Sequence, residues 1–174
     1  MSTKYCVLGL LPFFAFGECT HLYGQTNCYQ GTISHLNASG HVSMIETKVV
    51  GNTQVQGQLT AKGAQFSSLS VNGTAHLNGI HAEKEIDIKG MMVMSHSKAP
   101  LITVNSNRLE LHQSEVGEIR MRSNPKETPT ITLTGQSRIT GRIIFEQGQG
   151  RVLVSSGSSV TGAVIGGQII RDEP

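Results

Sequence analysis

The chain has no tryptophan, and only five phenylalanines among its 174 residues. A core built around large rings is excluded, so the interior must be filled by Val, Ile, Leu, Ala and Met in thin, closely spaced layers. Charge of one sign is equally scarce: fourteen basic side chains against twelve acidic ones leave a formal charge of +2. So even a balance gives no reason to expect a nucleic-acid partner. Nor is there a run long enough for a permanent membrane span. The one apolar stretch, Tyr5 to Phe16, is interrupted by Pro12 and falls well short of about 20 residues. Amphipathic helices are missing too, because Gly, Thr, Val and Asn recur throughout and no segment sustains three-four spacing.

What is present begins with "MSTKYCVLGLLPFFAFG", residues 1–17: a short polar start with Lys4, an apolar run, then Ala15 and Gly17 at the small-residue positions of a cleavage site. This reads as a secretory signal removed after Gly17, and it predicts export to the periplasm or cell surface of a bacterium. An uncleaved N-terminus lying against a membrane is the competing reading. Loss of Cys6 with the signal leaves Cys19 and Cys28. An even count in an exported chain predicts a disulfide that staples the mature N-terminus; the alternative is two free thiols. Zinc is disfavoured, since Cys19 and Cys28 lack the paired C-x-x-C spacing.

Further along, Leu69, Val71, Gly73, Ala75, Leu77 and Gly79 alternate with Ser70, Asn72, Thr74, His76 and Asn78. Strict period-two alternation is a strand signal, and the glycines share the parity of the apolar residues. Gly51, Gly57 and Gly63 keep the same six-residue beat, and so do Gly73 with Gly79 and Gly135 with Gly141; Gly162 closes another "VTG". Short-period self-similarity predicts a solenoid. Six residues at about 3.3 Å each span roughly 20 Å, one side of a triangular coil of about 18 residues. Those eight glycines are therefore assigned to its corners, where little room and positive φ favour them. The expected organisation is a signal at 1–17, a cap at 18–45, a solenoid of about seven coils at 46–170 and a charged tail at 171–174. Pattern breaks at "MMVMSHSKAP", "HQSEVGE", "SNPKETPT" and "EQGQG" are expected to be loops.

The stretches "VVGNTQVQGQLTAKG", "LSVNGTAHLNG", "LTGQSRITGRIIFEQG" and "VTGAVIGGQII" together resemble the bactofilins, polymer-forming right-handed β-helix proteins of bacteria. What the resemblance implies is an all-β, right-handed triangular parallel β-helix acting as a scaffold, with no cofactor and no catalytic residue. It further implies self-association by stacking of coil ends. Family members are mostly cytoplasmic, whereas this chain carries an export signal.

Chemistry-bearing residues are few. In "EKEIDIK", Glu83, Glu85 and Asp87 alternate with Ile86 and Ile88 and are expected to form one outward row, spaced about 6.6 Å, suited to a divalent cation or an acid pair. His76 and His81 are the candidates for a general base, should the scaffold carry acyl transfer. His35 and His41 stand one repeat apart without a metal-ligand spacing, and Arg120, Arg122 and Lys126 form the densest basic patch. The sequence thus favours an exported structural or interaction solenoid, scaffold or adhesin-like, whose partners are further copies, an envelope protein or a glycan. A carbohydrate-active or acyl-transfer enzyme on the same scaffold is the alternative.

Overall fold

Alternating apolar and polar residues dictate strands, and no stretch of sequence competes with them. The computed structural model describes residues 18–122 and 127–172, and every regular element among them is a strand. No helix of the described residues is long and apolar enough to cross a membrane. In chain order the strands are β1 (Glu18–Leu22), β2 (Gln25–Ile33), β3 (Leu36–Lys62), β4 (Gln65–Asn78) and β5 (His81–Ser95). Next come β6 (Lys98–Asn105), β7 (Arg108–His112), β8 (Glu115–Met121), β9 (Thr130–Thr134) and β10 (Arg138–Ile139). The last are β11 (Ile143–Phe145), β12 (Gly150–Val154), β13 (Ser159–Val160), β14 (Val164–Ile165) and β15 (Gly167–Arg171).

All except β1 pair in parallel with the coil before or after them. The result is a β-solenoid of about eight turns. From Gln25 beside His41 to Lys98 beside Glu115 the chain advances 16 or 17 residues per coil. It then advances 21 to 24, as in Leu109 beside Ile131 and Ile119 beside Ile143, and returns to 17 from Gly150 to Gly167. The extra length enters between Met121 and Thr130, within the expected "SNPKETPT" break, and again between Phe145 and Gly150, at "EQGQG".

Each coil has three sides. In the coil of β4 these are a short one at 64–66 and two of five residues, at 68–72 and 74–78. Inward positions stack as columns, such as Leu69, Ile86, Ile102, Ile119 and Ile143, all buried. Phe66, a fully buried core ring, has Val49 and Ala82 beside it, and the small alanine leaves room for it. β-Branched and aliphatic residues thus fill a narrow interior that larger rings would overpack.

The eight glycines occupy three different corners. Gly57, Gly73 and Gly90 stack at one corner with φ of 131°, 142° and 137°, each so close to the coil below that a Cβ on Gly73 would collide with the carbonyl oxygen of Gly57. Gly63, Gly79 and Gly135 belong to another, a left-handed column shared with Gln30, Glu46, His96 and Gln113. Gly51, Gly141 and Gly162 mark the third, where Gly141 N–H donates to Gly117 O at 2.6 Å.

Two expectations change. Parallel pairing already joins Gln25–Ile33 to 41–49, so most of segment 18–45 is solenoid and only β1 is left as a cap. "MMVMSHSKAP" is not a loop: β5 runs to Ser95 and β6 starts at Lys98, with Met92 and Met94 fully buried. The signal reading falls on residues 1–17, outside the described residues.

Candidate functional site

The two ends of the stack are unlike. At the N-terminal end β1 lies antiparallel on β2 with Cys19 opposite Cys28, and the two are joined by a disulfide, S–S 2.04 Å. Tyr23 and Gly24 take φ of 45° and 74° at the connection, the left-handed pair that a two-residue hairpin turn requires. His21 Nδ1 lies 2.9 Å from Thr26 Oγ1. Cys28, under this hairpin, is buried, as are Leu36 and Ala38 farther along the first coil.

At the C-terminal end β13 pairs with β10, β14 with β11 and β15 with β12, and none of the three has a further partner among the described residues. Among the described residues their outer edges carry unpaired N–H and C=O groups, the template on which another strand can pair. The core surfaces at the same place. Val160 and Val164 are only half-buried, and Ile169 is 37% exposed where Val152, one coil below it, is fully covered. Ile165 and Ile170 add exposed apolar surface on the flanks. An open edge and an open core therefore coincide on one face.

The sequence-predicted residues do not converge. Glu83, Lys84 and Glu85 are all exposed, and the register shifts between His81 and Glu85. Alternation breaks there because the chain turns a corner. Glu83 lies around that bend, on a shallow groove with His81, Lys98, Pro100 and Glu115, whereas Glu85 and Asp87 lie on the next side beside Ser68 and Ser70. The expected single row of three carboxylates is therefore corrected to a pair plus one residue on another side. His76 stands outward beside Val93, and His81, past the Gly79 corner, stands beside Gln65 and Lys98. They face different directions. His35 Nδ1 accepts from Asn52 N–H at 3.3 Å, and His41 Nδ1 lies 3.3 Å from Gln58 Oε1.

Arg120 and Arg122 are ion-paired. Arg120 Nε is 2.8 Å from Glu118 Oε1, Arg142 reaches the other oxygen of Glu118 at 3.1 Å, and Arg122 Nε is 3.1 Å from Glu146. Hydrogen bonds from Arg120 and then Arg142 hold the Glu118 carboxyl below the usual carboxylate range. Lys126 lies outside the described residues. Groups of three or more His, Cys, Asp or Glu side chains able to hold a metal are absent among the described residues.

Two features escaped sequence reasoning. One is the open last coil, which alternation cannot show because its residues look like every other coil. The other is a column of buried serines, Ser97, Ser114, Ser137 and Ser158. Each serine from Ser114 onward accepts, through Oγ, the backbone N–H of the one before it, at 3.2, 3.3 and 3.2 Å. Its signal was the serine that follows the left-handed residue in "HS", "QS" and "GS". Comparison of the chain with protein-family models, curated proteins and solved structures gives no match.

Proposed function

We propose that this protein is an exported structural or interaction solenoid that acts by assembly through its C-terminal coil, not by turnover of a substrate. The observation that carries the reading is the coincidence of unpaired strand edges with half-exposed core residues at Val160, Val164 and Ile169. Strand addition at such an edge supplies main-chain hydrogen bonds, and burial of the exposed aliphatics supplies the driving force. The short glycine repeats that resemble the bactofilins agree with a scaffold role. The separation of Glu83 from Glu85 and Asp87, and of His76 from His81, gives acid–base chemistry no shared centre.

Light scattering of the purified chain over a range of concentrations tests this. The wild-type chain is expected to exceed the mass of one chain as concentration rises, and Ile169→Lys to remain at one chain. Alanine at Glu83, Glu85, Asp87, His76 and His81 is expected to leave assembly unchanged. A wild-type chain that stays monomeric throughout, with no partner strand bound at β15, contradicts the reading.

A further inference from the structure

We infer that the corner carried by His96, Gln113 and Gln136 binds the uronate sugars of an acidic glycan. The site uses no residue at either end of the stack, so it stands apart from the assembly reading. Conformation marks it. This corner requires a left-handed residue in every coil, and in the coils beneath, Gly63 and Gly79 meet that requirement. His96 and Gln113 hold φ of 50° and 45° instead. In the next coil the corner has two residues, Gly135 and Gln136, and the second keeps its side chain at a φ of 73°. Three successive coils thus retain a side chain where glycine would carry no strain, and above Gln136 the corner returns to glycine at Gly157. Gln30 and Glu46 are left-handed too, but they bond to each other, Gln30 Nε2 to Glu46 Oε2 at 3.1 Å. Gln113 and Gln136 have no such use: both are exposed, and neither amide makes a hydrogen bond among the described residues.

Charge then selects the ligand. His96, Gln113 and Gln136 line one recess together with Lys98, Glu115 and Arg138. Lys98 pairs with Glu115 at 3.2 Å, whereas Arg138, beside Glu115 in register, forms no ion pair among the described residues. Two cations against one carboxylate leave a surplus of a single positive charge. That surplus suits a carboxylate, which a guanidinium holds through two parallel N–H donors. A phosphate dianion would set excess negative charge against Glu115. Around the guanidinium, the amides of Gln113 and Gln136 and the imidazole of His96 both donate and accept, which is what sugar hydroxyls require. One ligand that carries a carboxylate among hydroxyls is a uronate. Coils repeat at about 4.8 Å, close to one sugar unit of an extended chain, so successive sugars can meet successive coils along this corner.

Titration of the protein with short oligomers of glucuronate, galacturonate and mannuronate, followed by amide chemical shifts, tests this, with the methyl ester of each oligomer and inorganic phosphate as comparisons. At least one acid oligomer should bind with a Kd on the order of 1 mM or tighter. Its methyl ester should bind about tenfold more weakly, and Arg138→Gln should weaken the acid by a similar factor. Gln113→Gly and Gln136→Gly should each weaken binding about threefold. Both should also raise the denaturation midpoint, since the left-handed strain is removed, so their weaker binding would not stem from a damaged fold. Arg151→Gln, on a different side of the coil, should change nothing. Failure of every acid oligomer to bind, equal binding of acid and ester, tighter binding of phosphate, or an unchanged affinity in Arg138→Gln would overturn the proposal.

Discussion

Gly73 and Gly79 show how one residue type answers two physical demands. At Gly73 the obstacle is space, because a Cβ would collide with the Gly57 carbonyl. At Gly79 it is conformation alone: φ is 62° and a Cβ would meet its nearest atom, Gly63 N, at 3.8 Å. Gly73→Val is thus expected to destabilise the fold by about 3 kcal/mol or more. Gly79→Val should cost about 1–2 kcal/mol, and Gly79→Asn less, since His96 and Gln113 already hold that conformation. Thr74→Val, facing outward, should stay within about 0.5 kcal/mol. Denaturant melts of the four variants check this order. The six-residue beat was legible because corners recur, but the kind of corner was not, because close approach depends on the coil beneath. Thr53 offers the opposite case. Its hydroxyl is buried without a hydrogen-bond partner, in the column it shares with Leu69 and Ile86. Replacing it by Thr53→Val removes an unsatisfied group at nearly constant shape and should stabilise by about 1 kcal/mol, read as a raised denaturation midpoint.

Among the elements, the corner after each left-handed residue carries the least legible interactions. Ser114 accepts from Ser97 N–H at 3.2 Å and donates to His112 O at 2.8 Å, so one hydroxyl ties a coil to its neighbour and to its own backbone. Ser114→Ala should leave the Ser97 amide buried and unpaired, costing about 1–3 kcal/mol. Faster hydrogen exchange at Ser97, with coils far from it unaffected, is the accompanying observation. Ser97 and Ser114 lie in stretches that looked like loops because polar residues cluster there; buried hydroxyls and exposed ones are the same letters. Met91 misled in the other direction. It is 52% exposed beside the buried Met92, so an apolar residue on the outer face blurs an alternation that the strand itself keeps. By contrast the disulfide between Cys19 and Cys28 was expected from countable things, the two cysteines that remain once the expected signal is set aside. Its antiparallel pairing did not, since spacing alone cannot set strand direction.

For the molecule as a whole, alternation and glycine spacing were enough to specify three-sided stacked coils, because each coil repeats the same local choice. Their number rises from the expected seven to about eight, since the repeat starts inside the segment assigned to the cap and coils of 16 or 17 residues are shorter than assumed. The difference between the ends was not legible. Val164 and Ile169 read as core residues, and only the absence of a paired strand above them among the described residues exposes them. Function on this account is a property of that face. Its most direct test is amide hydrogen exchange across 167–171, compared between dilute and concentrated protein. β15 already gives half of its amides to pairing with β12, and assembly through its outer edge should slow the other half only in the concentrated sample. Unchanged exchange in β15 at both concentrations, or new protection in β1 instead, would contradict the account.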